Sequence, residues 1–198
     1  MLIFAGIDLF AGSTVFAQLS VINNEDTIKQ KSIIKQFVRS PAKRAGIAVS
    51  EGLAFNLGLN LYGRFVTNVK WAQVTKSSIQ YNLTHKLFWD SDGIYINLFA
   101  HPYAGGLYFN AARANGFNFW QSILFSVFGS SVWKYFGENQ QASINDMIAT
   151  PIGGIALGEI THRLSHLVLD DSQRGWKRFG NELLAGIISP IDLLALLI

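Results

Sequence analysis

The sequence predicts a mainly α protein, a membrane-associated helical bundle with a β-hairpin near residues 78–100. Three observations predict it. Charged residues are 15% and aromatics 13% of the 198 residues, against about 25% charge in an ordinary soluble domain, and mean hydropathy is +0.24. Read along the chain, helical segments surround one extended stretch. Small residues also recur at every fourth position on three separate segments, and such ridges let helices approach closely.

The length supports one domain with its own core. With no cysteine in the chain, disulfides, thiolate metal sites and thiol redox chemistry are excluded. The net charge of +3 is a local feature. Lys29, Lys31, Lys35, Arg39, Lys43 and Arg44 lie between Asp26 and Glu51 with no acid among them, and the remainder is acidic. That distribution, with one aromatic in the basic patch, argues against nucleic acid as a partner.

Residues 1–17, "MLIFAGIDLFAGSTVFA", have the apolar run and small −3 and −1 residues of a secretory signal, with Val15 and Ala17 before Gln18. Asp8 and the absence of a leading Lys or Arg depart from that pattern. Export with cleavage after Ala17 is nevertheless expected ahead of a buried N-terminal helix. Residues 18–41 form a basic amphipathic lead-in. Lys31, Lys35, Arg39 and Lys43 repeat every four residues while Ile33, Ile34, Phe37 and Val38 take another face. Such a helix suits an anionic membrane surface, or a solvated lead-in packed on the rest of the chain. Ser40-Pro41 should end it.

Residues 42–198 are expected to form a single helical domain. Residues 42–64 make its first helix, where Ala42, Gly46, Ser50, Ala54 and Gly58 form the first ridge. Residues 76–100 alternate instead, with Ile79, Tyr81 and Leu83 before "DSDG" and Ile94, Ile96 and Leu98 after it, which suits a hairpin turning at Asp92-Gly93. Helices are expected again at 103–115, 117–136, 143–168 and 173–188. Ala114–Trp133 carries no charge and, at about 1.5 Å per residue, is long enough to cross about 30 Å of hydrocarbon. Its Asn, Gln and Ser content fits better with a helix buried in a bundle, Ser122, Ser126 and Ser130 forming the second ridge. Asp146, Thr150, Gly154, Gly158 and His162 form the third. Ser143 should cap that helix, with Asp146 at its positive end, Pro151 should bend it, and Glu159 can pair with Arg163 one turn on.

"FWDSDGIYINLFAHPYAGGLYFNAARANGFNFW", followed by "GSSVWKYFGE", "SINDMIATPIGGIALGE" and "RLSHLVLDD", resembles the bacterial envelope family catalogued as domain of unknown function 3943. The resemblance runs from about Phe55 to Pro190. It implies an exported, membrane-associated protein of a Gram-negative cell envelope, at the outer membrane or periplasmic face rather than in the cytoplasm, and it brings no activity with it. The family tends to have an acid where this chain has Lys134, and Pro-Ser where it has Ala142-Ser143. Members tend to run on into strand-like sequence, so an end at "SPIDLLALLI" implies a short or truncated form.

Carried over position by position, the family's recurring polar residues are Asp90, Asp92, Asn97, His101, Arg113, Glu138, Asp146, Glu159, Arg163 and Asp170. Most have structural explanations: Asp90 and Asp92 as turn residues beside Gly93, Arg113 as a flank of the apolar segment, and Glu138 as the partner of an arginine elsewhere. Two function classes follow. In the first, polar residues fix helix packing in an envelope protein that contacts membrane lipid or another envelope protein such as a barrel. In the second, a membrane-associated hydrolase of a lipid or envelope substrate uses His101 as base with Glu138 or Glu159 orienting it. No G-x-S-x-G elbow, Walker A sequence or G-x-G-x-x-G fingerprint occurs. No cofactor is expected. Glu159, His162 and His166 share a helix face at spacings that can hold a metal, but a second Glu-x-x-His and a His-Glu-x-x-His are both absent. No metal is therefore expected there, and pairing of Glu159 with Arg163 is.

Overall fold

Local chemistry sets where the helices begin. The computed structural model describes residues 40–169 and 174–197, so the expected signal segment, all but the last two residues of the lead-in, and Asp170 lie outside the described residues. Pro41, whose ring presets the backbone angle of a first turn, opens α1 (Pro41–Phe65). A short 3₁₀ turn (Lys70–Ala72) leads to α2 (Lys76–Thr84). There Thr75 Oγ accepts from the Ser78 N–H at 3.1 Å while the Thr75 N–H donates to Ser78 Oγ at 2.9 Å, a reciprocal cap.

The expected hairpin is replaced by helix, and among the described residues the extended pairing is a single bridge between Phe88 and Ser143. Ile79, Tyr81 and Leu83 sit on the capped α2, where Tyr81 and Leu83 are exposed. "DSDG" opens a helix instead of reversing the chain. Asp90 Oδ1 accepts from the Asp92 N–H at 3.2 Å, an Asx turn, and the Gly93 carbonyl accepts from Ile96 N–H at 2.9 Å. The helix passes through a π-helical turn (Ile96–Ala100) into α3 (His101–Ala114).

Ala114–Trp133 is also not one helix. Asn115 ends α3, Gly116 takes a left-handed backbone with φ 79°, and Asn118 caps α4 (Phe119–Val132) through a reciprocal pair with Gln121. A second π turn (Trp133–Gly137) follows, then α5 (Ile144–Val168), α6 (Trp176–Ile188) and α7 (Pro190–Leu197). No helix among the described residues is long and apolar enough to cross a membrane.

The packing centre is the contact of α3 with α5. A Cβ added at Gly105 would overlap the Thr150 carbonyl, and one at Gly154 would overlap the backbone of Gly105, so both positions require hydrogen as their side chain. Ser126 Oγ on α4 donates to the Gly105 carbonyl at 3.0 Å. The second and third ridges therefore face inward, with Ser122, Ser126, Ser130, Asp146, Thr150, Gly154, Gly158 and His162 all buried. The first ridge does not. Ala42, Gly46, Ser50, Ala54 and Gly58 are exposed, and α1 packs instead through Ala48, Asn56 and Gly63. Asn56 explains the choice of face, because it takes a hydrogen bond from Tyr108 Oη and donates to the Gly129 carbonyl.

Polarity is inverted relative to a water-soluble domain. Buried positions include Asn56, Asn82, Asn110, Ser126, Lys134 and Asp146, whereas Ile94, Trp120, Leu167 and Trp176 are each at least 75% exposed. Isolated exposed apolar residues are ordinary, but here they run along α1, α4, α5 and α6 together.

Candidate functional site

Both π turns deliver ionisable groups to one buried point. His101 follows the first, and Lys134 stands within the second, which ends at Glu138. A π turn widens the helix and frees carbonyls from their usual partners. Here the side chain of Asn82 donates to the carbonyls of Lys134 and Glu138, each at 3.3 Å, and Asn60 donates to Gly137 O at 2.9 Å. Asparagines of α1 and α2 thus hold the distorted segment that turns Lys134 inward.

Asp146, fully buried in the first turn of α5, bridges two bases. Its Oδ1 is 3.0 Å from His101 Nε2, and its Oδ2 contacts Lys134 Nζ. Lys134 Nζ also lies 2.5 Å from Glu138 Oε1, and Asp92 Oδ2 is 4.0 Å from His101 Nε2. Ser143 is the residue before α5, but its side chain makes no capping bond, so Asp146 serves the ion network beyond the helix end. Asn145 secures the approach from the other side, exchanging hydrogen bonds with Asp90 and donating to Asn97 Oδ1 at 3.3 Å.

Burial and charge act on these groups in opposite senses. Burial pushes the Glu138 carboxyl up against the pull of Lys134, and Asp92 is likewise raised by burial and by Asp90 and Asp146. Burial also acts to raise Asp146, but the contacts from His101 and Lys134 outweigh it and hold that carboxyl well below the usual range. For Lys134 burial opposes the charge, yet Glu138 and Asp146 keep it raised. Asp146 and Lys134 are therefore a fixed ion pair, whereas burial makes the Glu138 carboxyl hold a proton more tightly than an ordinary carboxyl does.

Asp92, His101 and Glu138 of the cluster line a cavity of about 360 Å³ whose apolar walls include Leu59, Trp71 and Tyr108. Ser130 also lines it, and its buried Oγ has no hydrogen-bond partner. A second, almost wholly apolar cavity of about 870 Å³ shares Leu59, Ala100 and Ala104 with the first. A histidine against a buried carboxylate can accept a proton and have its charge stabilised, so the arrangement has the parts of a general base below an apolar opening.

Of the sequence candidates, the structure brings His101, Glu138, Asp146 and Asp92 together and leaves Glu159 apart. Glu159 Oε2 accepts from Arg113 Nε at 3.0 Å and its Oε1 from Arg163 Nε at 2.7 Å, so it is a structural ion-pair centre and not the orienting partner of His101. Arg113 is accordingly the arginine that ties α3 to α5, beyond flanking an apolar stretch. Among the described residues Glu138 answers Lys134 and no arginine. Asp90 and Asn97 hold the loop to Asn145. Sequence reasoning missed Lys134 as a site residue. The signal available was a single charge between "GSSVW" and "YFGE" in a segment otherwise free of cations.

Fold and site together define a class: a helical protein organised round an internal ion network, with its apolar side chains turned outward. The chain belongs to the family described as domain of unknown function (DUF3943), whose family model matches residues 86–191, more than half its length. That span contains His101, Lys134, Glu138, Asp146 and Glu159. Neither a curated protein nor a solved structure matches the chain.

Proposed function

We propose that this is an exported, membrane-associated protein of the Gram-negative cell envelope, whose internal polar residues fix helix packing while its exterior meets lipid or the inside of a larger envelope protein such as a barrel. One observation carries the reading, the contrast between an interior unusually rich in Asn, Ser, Lys and Asp beside a small apolar core and an exterior rich in Leu, Ile, Phe and Trp. In water such an exterior is an aggregation or docking surface, while in lipid small and polar residues between helices are the normal adhesive. After alkaline carbonate washing the protein should remain with the membrane pellet and need detergent for release. Recovery as a stable monomer in detergent-free buffer would defeat the reading. Export is tested separately by mass spectrometry of protein made in a secreting bacterial host, where a mature chain beginning at Gln18 is expected and an intact Met1 would exclude cleavage.

A second reading, a membrane-associated hydrolase of a lipid or envelope substrate, is supported by the cavity lined by His101 and Glu138, with Asp146 buried against His101. In it His101 is the base, with Asp146 rather than Glu159 orienting the imidazole. His101→Ala and Glu138→Gln separate the two readings. Loss of a cellular phenotype with an unchanged melting temperature favours the hydrolase, and loss of both favours packing.

A further inference from the structure

Outside that cluster, α5 and α7 bring a second set of ionisable groups together. His162 Nδ1 lies 3.0 and 3.2 Å from the two carboxylate oxygens of Asp192. His166 stands one turn along α5, its ring 4.5 Å from that of His162. One ring nitrogen from each histidine and one Asp192 oxygen all fall within 4.8 Å of one another. Ligands at 2.0–2.2 Å from one ion are separated by about 3.2–3.6 Å at tetrahedral angles, so small side-chain rotations would close the set.

We propose that His162, His166 and Asp192 form a binding site for a divalent transition-metal ion, of which Zn²⁺ is the probe. Three features support it. Two imidazoles at i and i+4 with one carboxylate from another helix are a donor set suited to such ions. Ser165 Oγ donates to Asp192 Oδ2 at 2.8 Å, leaving Oδ1 directed at His162, and such an outer bond orients a ligating carboxylate. Asp192 is only 4% exposed, and a buried carboxylate calls for a cation beside it. The other group of suitable spacing, Asp92, His101 and Asp146, differs on this point because Lys134 already supplies its cation. His166 is exposed while His162 and Asp192 are buried, so the ion would be reached from outside and keep an open position.

The full chain, freed of metal by a chelator and titrated with Zn²⁺, should bind one ion per chain and melt at a higher temperature when loaded. Losing even an outer-shell partner of a metal costs about 10–100-fold in affinity, so His166→Ala should weaken binding at least about tenfold and abolish the shift in melting. Asp92→Asn, which removes a donor from the other group, should bind like the wild type. Substoichiometric zinc, unchanged binding in His166→Ala, or zinc lost in Asp92→Asn would each overturn the assignment. So would a His166→Ala chain that melts well below the wild type without zinc, since His166 would then be a packing residue.

Discussion

Lys134 Nζ lies 2.5 Å from Glu138 Oε1 with both side chains almost completely buried, and the same ammonium contacts Asp146. Removing one member of a buried ion pair costs about 3–5 kcal/mol, because the charge left behind has lost both water and partner. Lys134→Met should therefore destabilise by about 3–5 kcal/mol in chemical denaturation. Lys134→Met combined with Asp146→Asn should cost less than the two changes added together, as contacting residues do not add. A strictly additive pair would mean that the ammonium does not hold Asp146.

The pH dependence follows from the directions of shift. Glu138 is raised above 4.5 by burial, so the folded chain binds its proton more tightly than the unfolded one, and stability falls as pH rises from 4.5 through the raised value. Asp146 is lowered below 3.8; its contribution is complete above that value and is lost as pH falls through the lowered one. Melting temperature should consequently pass through a maximum in the mildly acidic range. Glu138→Gln should flatten the limb above that maximum, with Asp92, raised in the same sense, retaining part of the slope. An unchanged limb in Glu138→Gln would assign the dependence to other groups.

Gly154 and Gly58, each on a ridge of small residues, sit in opposite surroundings in the fold. Gly154→Ala would drive a methyl into the backbone of Gly105, whereas a Cβ at Gly58 meets nothing within 4 Å. Overpacking costs about 1–3 kcal/mol, and replacing an open helical glycine gains about 0.5–1 kcal/mol. Thermal melting of Gly154→Ala and Gly58→Ala should thus move in opposite directions.

Glu159→Gln should destabilise by about 1–3 kcal/mol, through a partly desolvated hydrogen-bonded pair. The partner that matters is Arg113, whose side chain is 20% exposed, and not Arg163, which is 72% exposed. An exposed pair is worth about 0.2–1 kcal/mol, so Arg113→Ala should approach the cost of Glu159→Gln and Arg163→Ala should fall near the exposed-pair range. A double-mutant cycle on 113 and 159 reads the coupling directly.

Helix identity was legible where small or capping residues imposed it. Ser126 and Gly154 lie on ridges picked out by spacing, and both meet Gly105: a Cβ at Gly154 would overlap its backbone, and the Ser126 hydroxyl bonds its carbonyl. The ridge on α1 misled because spacing is silent on whether a partner exists; Asn56, bonded to Tyr108 and Gly129, decided the face through contacts more than fifty residues away. Residues 76–100 misled for another reason. An alternating pattern and "DSDG" suit a hairpin, but Thr75 with Ser78, and Asp90 with Gly93, satisfied the backbone as helix starts. In the site, His101, Glu138 and Asp146 were visible from the family resemblance, whereas Lys134 depends on a π turn that no periodicity announces, and Asp192 sits alone in an apolar tail.

The inverted distribution of polarity also has a calorimetric consequence. Unfolding of an ordinary domain raises the heat capacity by about 12–15 cal/mol/K per residue, because buried hydrocarbon becomes hydrated while exposed polar groups act in the opposite sense. In this chain much of the hydrocarbon is already outside, and a large share of what unfolding uncovers is amide, hydroxyl and carboxylate, as at Asn82, Asn110, Ser122 and Asp146. The heat-capacity increment should fall below the ordinary range, making the stability curve unusually flat, with the chain losing little of its stability on cooling.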